Sequence, residues 1–367
     1  MKKKLAIIGA NYWQKPLFLK AREMNLETHC FSWEKDAVCK DLADYFYPIS
    51  IFEKEQILEI CQKIQIDGIL SISIDIAVPT VWYVAEKMGL IGNKYEDALI
   101  SPNKYLQRQA FSRNGVNIPR FTIADDKVDV TGFTYPLIVK PTDRGGSIGV
   151  TKVEKEEELK DAIELAQKLS FEKKAIVEEF VPGTEIIAVQ CISWKGKHYF
   201  ITIDDSEGLE GSYYKTAYHH PADMSDEDIQ KAFSESCKAL DALNFKYGAS
   251  EVEVILSKDG DIKIIEVNPR MAGEAECIMA ELATGYDFAK GAINIALNQF
   301  EEPVFPIKKC SGLYYLRKET EYLRPIIENN ENDPEIIEAV VFNEKEAHLG
   351  RLGYFIYQSD RRRSWNL

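Results

Sequence analysis

The apolar positions of the first hundred residues follow two kinds of spacing. Continuous apolar runs, typical of buried parallel strands, occupy residues 4–9, 27–33 and 68–72. Amphipathic stretches with helical spacing occupy residues 16–25, 53–65 and 77–88. Strands that alternate with helices form a sheet covered by helices on both faces. The pattern predicts a doubly wound α/β domain that ends near residue 95.

The turn after the first strand is Gly9-Ala10-Asn11. It lacks the GxGxxG spacing by which a dinucleotide-binding turn approaches a pyrophosphate. A tight connection between strand and helix is therefore favoured over an NAD site.

The spacing changes after a predicted helix at residues 103–114. We expect Ser101 to cap this helix, Pro102 to be its first residue and Gly115 to follow its end. Short strands bounded by turn residues follow at 137–140, 149–153, 175–180, 186–194, 199–203, 250–256 and 262–267. Helices are predicted at 154–169 and 225–243. This pattern is typical of an α+β region built from antiparallel hairpins.

Three domains are expected from this order of elements. Residues 1–95 form the N-terminal α/β domain, and residues 96–204 form a linker helix and a central lid of hairpins. Residues 205–367 form a C-terminal α+β domain that ends in a small β-rich unit after Ser311. The Arg361–Arg363 triplet is expected to be a solvated tail without a function.

Composition narrows the expected partners and compartment. The chain has 45 Lys and Arg against 59 Asp and Glu, a net charge of −14, which disfavours nucleic acid as a partner. No apolar stretch approaches the roughly 20 residues that span a bilayer, so no membrane is expected either. The seven cysteines are scattered and never spaced as CxxC. This argues against a disulfide framework or a zinc site and favours the cytoplasm.

The most informative segment is an acidic hairpin at residues 251–270. Asp259-Gly260 between two alternating runs predicts a two-residue type I′ turn. That turn would pair Glu253 with Glu266 and Glu251 with Asn268, all on one face. The other face would carry Val252, Val254, Leu256, Ile265 and Val267.

Directly opposed carboxylates destabilise a sheet unless a positive charge lies between them. Mg²⁺ prefers oxygen ligands and shares its coordination sphere with substrate phosphates. A solvated acidic face, with a bulge that shifts the register, is the alternative. Asn268 and Arg270 beside Glu253 and Glu266 favour a metal site over that alternative.

A glycine-rich loop follows a predicted buried strand that ends at Lys140. Glycines let backbone amides approach an anion, and the lysine adds a point charge. The loop contains Gly145, Gly146, Ser147 and Gly149. It fits a phosphate cradle that is neither a Walker loop nor a Rossmann turn, because GxxxxGK[ST] is missing and a strand follows it. A glycine-rich surface hairpin is the alternative.

The segment 175–185 predicts a strand, a Pro-Gly turn and the start of another strand. Backbone groups at Glu179, Phe180 and Val181 are candidates for reading an adenine edge, and Glu185 for accepting hydrogen bonds from ribose hydroxyls. Glutamates at strand ends are common, so this segment alone indicates little.

Taken in order, these pieces resemble the ATP-grasp superfamily over about residues 1–300. The motifs are Asn103-Lys104, Val139-Lys140-Pro141, the Gly145–Gly149 loop, Val177-Glu178-Glu179-Phe180 with Gly183 and Glu185, Glu253, and Glu266-Val267-Asn268-Pro269-Arg270. The ordered set is far more specific than any one of its members.

The resemblance implies a role for each matched position. Lys104 and Lys140 would contact ATP phosphates, with the glycine loop closing over them. Glu178, Val181 and Glu185 would hold adenosine, while Glu253, Glu266 and Asn268 would ligate two Mg²⁺ ions, with Mn²⁺ as a substitute. Arg270 and Lys140 would be the catalytic cations, Arg270 stabilising a negative tetrahedral centre.

Within the superfamily, the region from Gly211 through Glu274 to Asp287 is similar to amino-acid ligases and carbamoyl-phosphate-synthetase-like proteins. His219, His220 and Gly273 are the substrate-site candidates there, with a surface loop as the alternative for the histidines. The two histidines are not expected to share a metal ion, because adjacent residues of an extended segment point to opposite faces.

The resemblance implies an ATP-dependent ligase that joins a small-molecule carboxylate, such as an amino acid, to an amine through an acyl phosphate. The products would be an amide, ADP and phosphate, and a homodimer is compatible with the sequence. Two alternatives remain: a bicarbonate-dependent carboxylase of the aminoimidazole ribonucleotide type, and an ATP-grasp kinase or nonenzymatic ATP-binding regulator. Arg270 favours the ligase over the kinase, because a kinase forms no tetrahedral intermediate.

Overall fold

The described residues form three β-sheets, two of four strands and one of eight. The computed structural model describes residues 2–125, 128–209, 214–273, 275–343 and 350–365. Within these ranges no helix is both long enough and apolar enough to cross a bilayer.

The first sheet is parallel and has the order β3-β2-β1-β4. Its strands are β1 Lys4–Ile8, β2 Glu27–Phe31, β3 Tyr45–Tyr47 and β4 Gly68–Leu70. The helices among them are α1 Lys15–Glu23, α2 Lys54–Ile64 and α3 Val78–Met88. One apolar cluster packs α1 against one face of this sheet, and a separate cluster packs α2 and α3 against the other face. The predicted doubly wound α/β arrangement is therefore confirmed, and the strand order reverses between β1 and β4.

Two helices, α4 Tyr95–Ala98 and α5 Lys104–Arg113, follow this sheet. The predicted cap of α5 is wrong by two residues. Asn103, not Ser101, is the N-cap, and its side chain accepts a hydrogen bond from the Leu106 amide. Pro102 therefore precedes the helix rather than beginning it. The Asn carboxamide satisfies an amide that the first turn leaves without a partner.

The second sheet is antiparallel, with the order β5-β8-β6-β7. Its strands are β5 Phe121–Ala124, β6 Leu137–Pro141, β7 Thr151–Val153 and β8 Ala175–Glu179. Helix α6 Glu156–Leu169 covers one face and buries Leu159 against Leu137, Val139 and Val177. This small α/β layer lies within residues 96–204, for which the sequence predicts a lid.

The third sheet is antiparallel, with the order β13-β12-β9-β10-β11-β14-β16-β15. Its strands are β9 Ile187–Trp194, β10 Lys197–Gly208, β11 Lys215–His220, β12 Gly248–Leu256, β13 Ile262–Asn268, β14 Cys310–Leu316, β15 Ile336–Val341 and β16 Gly353–Ser359. Its helices are α7 Asp226–Ala242, α8 Glu276–Thr284, α9 Phe288–Ala296 and α10 Arg324–Glu328. Helices α7 and α9 contact the acidic-hairpin half of this sheet, and α8 contacts β14 and β16.

Strand pairing divides the chain differently from the sequence pattern. Strands β9 and β10 join the acidic hairpin rather than the lid, so a boundary at 204 would cut β10. Strands β14, β15 and β16 extend the same sheet instead of forming a separate unit. We propose a lid that ends near residue 180 and a C-terminal domain that begins there.

The arginine triplet is not simply solvated. Arg362 lies 2.6 Å from Asp205 on β10, and Arg363 lies 2.8 Å from Asp333. Both side chains are partly buried, so these ion pairs fasten the C-terminal segment to the large sheet.

Candidate active site

The acidic hairpin places its carboxylates as predicted, although its turn is different. Glu253 pairs with Glu266, and Glu251 pairs with Asn268. The strands end at Leu256 and Ile262, so the connection has five residues, and of Asp259 and Gly260 only Gly260 has a positive φ, 83°. The predicted two-residue type I′ turn is wrong, because that turn needs positive φ at both residues.

A β-bulge reconciles the longer turn with the predicted pairing. Val254 pairs with Ile264, and the register shifts between Glu253 and Val254. Ile264, and not Ile265 as predicted, therefore belongs to the apolar cluster behind the hairpin. The bulge offsets the one-residue displacement at the turn, so Glu253 and Glu266 still face each other.

The carboxylates of the acidic face carry more negative charge than the neighbouring cations can fully compensate. Burial raises the pKa of Glu253, and the neighbouring Glu266 and Glu251 carboxylates raise it further. The Lys104 ammonium lies 2.5 Å from Glu266 Oε1. Burial lowers the pKa of Lys104, but Glu266 more than offsets this and the pKa is raised. Lys104, which is predicted to contact ATP phosphates, is therefore held by an ion pair on the predicted metal-binding face.

Arg270 connects the acidic hairpin with the first sheet's domain. Its Nη1 lies 2.5 Å from Glu251 Oε2, and its Nη2 lies 2.7 Å from Asp75 Oδ1. The Asn268 carboxamide donates a hydrogen bond to the same Glu251 oxygen at 3.2 Å. Arg270 is largely buried, so its guanidinium is held between Glu251 and Asp75, within reach of the Glu253 charge. The sequence did not single out Asp75, which follows β4 and meets Arg270 only in the fold.

A second buried cluster surrounds Lys140. Glu178 receives the Lys140 ammonium at 2.7 Å on one oxygen and the Arg108 guanidinium at 2.6 Å on the other. Burial raises the pKa of Glu178, but the two cations outweigh it and lower the pKa. Burial lowers the pKa of Lys140, and the Glu178 carboxylate raises it. The effect of burial is larger, so the pKa of Lys140 is lowered.

This cluster changes the expectation for Glu178. Both carboxylate oxygens face cations rather than a nucleotide pocket, so a contact between this carboxylate and adenosine does not follow from the geometry. Arg108 was missed, although a signal existed. It lies four residues after Lys104 on α5, which places both cations on one helix face.

The glycine loop lies at the mouth of the site, between β6 and β7. Gly146, Ser147 and Gly149 have positive φ values of 64°, 58° and 75°. A Cβ on Gly149 would lie 2.9 Å from Leu169 Cδ1 and 3.0 Å from Pro141 Cγ, so only glycine fits there. A Cβ on Gly145 would lie 3.6 Å from Asp75 Oδ2, so the loop reaches the N-terminal domain.

Several groups of the predicted adenine-binding segment already form hydrogen bonds or ion pairs within the protein. The Glu179 amide donates to Arg120 O, and the Phe180 amide donates to Pro136 O. The Glu179 carboxylate accepts a hydrogen bond from the Thr134 amide at 2.9 Å. Glu185 is exposed and pairs with Lys215 at 2.5 Å. An adenine contact in this segment therefore falls to Val181 and to backbone carbonyl groups.

A cavity of about 430 Å³ connects these parts. It lies between the carboxyl edge of the parallel sheet, the start of the glycine loop and the acidic hairpin. Its walls include Asn11, Ser73, Asp75, Lys104, Gly145 and Glu266. The structure thus brings two predicted phosphate-site residues and one predicted metal ligand to one cleft, together with Asp75, which the sequence did not indicate.

The two histidines lie on opposite faces of β11, as expected for adjacent strand residues, but both are buried. His219 hydrogen-bonds Tyr357 Oη and the Glu207 carboxylate, each at 3.0 Å. His220 hydrogen-bonds the Glu276 carboxylate at 3.1 Å. Neither histidine lines the cleft, so the structure gives them no direct path to a substrate there.

His220 belongs to a buried group with Asp204 and Glu276. One ligand atom from each of the three side chains lies within 4.8 Å of the others. Burial raises the pKa of Asp204 well above its usual value, and the Glu276 carboxylate adds to the shift. Burial lowers the pKa of His220. Asp204 therefore favours its neutral form, which removes one charge from the group.

The other substrate-site candidate, Gly273, faces the first sheet's domain. A Cβ on Gly273 would lie 3.3 Å from Ser73 Cβ. Glu274 and residues 211–213 of the resembling region lie outside the described residues.

Residues 133–278 match a family model described as an ATP-grasp domain. Curated relatives include an alanine–anticapsin ligase from Bacillus amyloliquefaciens, 26% identical over 271 residues, and a D-alanine–D-alanine ligase from Geobacter sulfurreducens, 28% identical over 213 residues. The alignments cover 64% and 56% of this chain. The chain spans 57% and 66% of the length of these two relatives.

Solved structures resemble nearly the whole chain. An L-amino acid ligase from Bacillus licheniformis has a TM-score of 0.82 at 22% identity and covers 98% of this chain and 94% of its own. An N5-carboxyaminoimidazole ribonucleotide synthetase solved with ADP has a TM-score of 0.82 at 18% identity, covering 98% and 93%. At these identities the likeness establishes a shared fold.

Proposed function

We propose that this chain, which carries an ATP-grasp domain at residues 133–278 within an ATP-grasp fold, is an ATP-dependent carboxylate–amine ligase. The observation that carries the proposal is the position of Arg270. Its guanidinium lies 2.7 Å from Asp75 in the cleft wall and 2.5 Å from Glu251 on the acidic face. We propose that it meets the carbonyl group of the acyl phosphate at this place. The curated relatives named as ligases support the same class.

The donor set of the acidic face fits Mg²⁺. Glu253, Glu266 and Asn268 offer oxygen ligands from one face of a hairpin, which suits a hard cation. Bound there, Mg²⁺ neutralises phosphate charge as it develops during transfer. Two ions, with Mn²⁺ as a substitute, stay a prediction. Lys104 beside Glu266 offers a cation to the same phosphates.

The remaining parts suit nucleotide binding. Lys140 and the backbone amides around Gly145, Gly146 and Ser147 would hold the phosphates, with Gly149 permitting the loop's close packing. Val181 and Glu185 would approach the adenosine. Glu178 would act through Lys140, whose ammonium it fixes in place.

The reaction proceeds in two steps. A carboxylate oxygen of the first substrate attacks the γ-phosphorus, and the bond to the bridging oxygen breaks to release ADP. The amine nitrogen of the second substrate then attacks the acyl carbon, phosphate leaves with the electrons of the broken C–O bond, and the nitrogen loses a proton. Arg270 is placed to stabilise the oxyanion formed in the second step.

A bicarbonate-dependent carboxylase is the second candidate, because several structural neighbours are named N5-carboxyaminoimidazole synthetases. It is less favoured, since the two curated relatives described above are named as amino-acid ligases.

The experiment that tests the ligase is an ADP-release screen of the purified protein against pairs of amino acids. Hydroxylamine added with the correct acid, ATP and Mg²⁺ should intercept the acyl phosphate as a hydroxamate without the natural amine. ADP release that requires bicarbonate, or a phosphorylated product that hydroxylamine does not trap, would instead support the carboxylase or the kinase.

A further inference from the structure

Three buried polar side chains lie outside the cleft and take no part in the proposed reaction. Asp204 belongs to β10, His220 to β11 and Glu276 to α8. Their exposed fractions are 4%, 0% and 4%, and none of them lines the cleft. Polar side chains at this depth are costly unless their charges and hydrogen bonds are compensated. The group is therefore separate from the ligase machinery and has its own electrostatic requirements.

The three side chains are spaced as ligands of one ion. One ligand atom from each of them lies within 4.8 Å of the other two. His220 Nε2 lies 3.1 Å from Glu276 Oε2, and the pairing of Asp205 with His219 places Asp204 beside His220. Ligand atoms that bind a tetrahedral Zn²⁺ at about 2.0 to 2.1 Å are about 3.3 Å apart. Small shifts of these side chains would therefore suffice to coordinate an ion.

The His220 ring has the surroundings of a metal-binding histidine. Its Nε2 faces the Glu276 carboxylate, and its Nδ1 lies 3.3 Å from Thr202 Oγ1. In metal sites a histidine usually donates its other ring N–H to a nearby oxygen, which fixes the ring and directs the free lone pair at the ion. The buried Thr202 hydroxyl is placed to accept that hydrogen bond. Nε2 is therefore the ligand atom, and Thr202 is a positioning residue.

An independent observation comes from Gln190 on β9. Its side chain is fully buried, and its Nε2 donates a hydrogen bond to Asp204 Oδ1 at 3.1 Å. Its Oε1 is also buried and has no hydrogen-bond partner among the described residues. Buried carbonyl oxygens nearly always have a partner, which is often an ordered water. A water bound to the ion would donate to Gln190 Oε1 and would be the fourth ligand of a tetrahedral site.

We propose that Asp204, His220 and Glu276 bind a divalent transition-metal ion, with Zn²⁺ as the expected occupant. One imidazole and two carboxylates favour Zn²⁺ over Mg²⁺, which prefers oxygen ligands alone. The cysteine spacing argues only against a cysteine-ligated zinc site, and this group contains no cysteine. On binding, the ion displaces the proton that Asp204 holds in the metal-free protein, and this proton passes to solvent. The ion joins β10, β11 and α8, and its binding does not depend on the ligase function.

The experiment uses refolding, because an ion enters such a buried site while the chain folds. The full-length protein is unfolded in guanidinium chloride with a chelator, and both are removed. It is then refolded with Zn²⁺ or Co²⁺. Elemental mass spectrometry should find about one Zn²⁺ per chain in this group, and the Co²⁺ form should show the visible absorption of a tetrahedral site. Circular dichroism confirms that each variant below has folded.

Variants of the group should change metal binding in a graded way. Asp204→Asn and His220→Gln should lose the ion, because each removes one ligand. Asp204→Asn keeps the shape of its side chain and decides the outcome if His220→Gln does not fold. Thr202→Val should weaken Co²⁺ binding about tenfold in competition with a chelator, and Thr202→Ser should restore it.

Two further variants are matched controls and should keep the ion. His198→Gln changes a histidine whose side chain is 4% exposed and pairs with one carboxylate, that of Asp241. Glu253→Gln weakens the acidic face, where a transition-metal ion could also bind.

Metal that is lost from Asp204→Asn but kept in both controls would support the site, whether or not the protein shows ligase activity. Refolded wild-type protein that holds neither Zn²⁺ nor Co²⁺ would overturn the proposal. Metal that remains in Asp204→Asn and is lost from Glu253→Gln would also overturn it, because that ion would belong to the acidic face.

Discussion

Lys140 and Glu178 form a buried ion pair, with Lys140 Nζ 2.7 Å from Glu178 Oε2. The lysine is 6% exposed and the glutamate 3%. Arg108 contacts the other carboxylate oxygen, so one anion compensates two buried cations. This balance leads to the first two predictions.

Glu178→Gln should destabilise the protein by about 3 to 5 kcal/mol, because it leaves Lys140 and Arg108 buried without their anion. Urea unfolding measures the change in the free energy of unfolding. Glu179→Gln is the matched control, since the neighbouring carboxylate is less buried and accepts only a backbone hydrogen bond, and it should change stability by less than about 1 kcal/mol. Equal effects of the two variants would contradict a special role for Glu178.

Lys140→Ala should weaken ATP binding by about 1.5 to 3 kcal/mol, the value of a charge-assisted hydrogen bond to phosphate. Calorimetric titration with ATP and Mg²⁺ measures it, and Lys160→Ala, on the exposed face of α6, is the control. Unchanged nucleotide affinity together with unchanged single-turnover phosphoryl transfer would remove Lys140 from the site.

Glu253→Gln and Glu266→Gln should both abolish turnover but should change stability in opposite directions. Glu253 is crowded by Glu266 and Glu251, so its removal relieves repulsion and should leave stability equal or higher. Glu266 is the partner of buried Lys104, so its removal should lower stability. Thermal unfolding without Mg²⁺ separates the two cases. Near-normal activity of both variants at limiting Mg²⁺ would show that the metal hairpin is misassigned.

Arg270→Met should retain ATP binding and lose amide formation. The guanidinium also compensates the Glu251 and Asp75 carboxylates, so the variant should lower stability as well. Among the steps of the proposed reaction, its charge is needed only when the oxyanion forms. Titration with ATP and the yield of hydroxamate and amide measure the two properties. A variant that still forms amide at the wild-type rate would exclude Arg270 as the oxyanion stabiliser.

Asp204→Asn should become more stable relative to wild type as the pH rises. The folded state raises the pKa of Asp204 above the unfolded value of 3.8, because of burial and then of Glu276. Between these two pKa values the folded state holds a proton that the unfolded state has lost, so the free energy of unfolding falls with rising pH. Asparagine does not titrate, so the variant lacks this fall in the free energy of unfolding with rising pH. Thermal unfolding from about pH 5 to pH 8 measures it, with exposed Asp223→Asn as the control. A stability difference from wild type that does not change with pH would contradict the neutral Asp204.

The sequence was sufficient for features that depend on local spacing. Alternation around Asp259-Gly260 predicted that Glu253 would face Glu266, but this pairing is correct only because the bulge offsets the wrong turn length. Strand and helix periods predicted the parallel sheet. The order of these motifs led to the ATP-grasp superfamily, which the family match supports for residues 133–278.

Features that depend on contacts between distant parts of the chain could not be predicted from the sequence. The bulge at Glu253 arises from pairing along the whole hairpin, and no local signal marks it. Asp75 meets Arg270 across nearly two hundred residues of chain, and Glu178 meets Arg108 only when α5 packs against the lid. The resemblance therefore implied an adenosine contact for Glu178, whereas in the fold both of its carboxylate oxygens face cations.

The place of β16 in the large sheet has a consequence for how the nascent chain matures. β16 pairs with β14 on one side and β15 on the other, although it follows both in the chain. Until residues 353–359 leave the ribosome, one edge of β14 is open and β15 lacks its partner strand. Open edges of this kind invite pairing with other chains. A chain that stops before Gly353 should therefore be recovered mainly in aggregates, even though its ATP-grasp domain is complete.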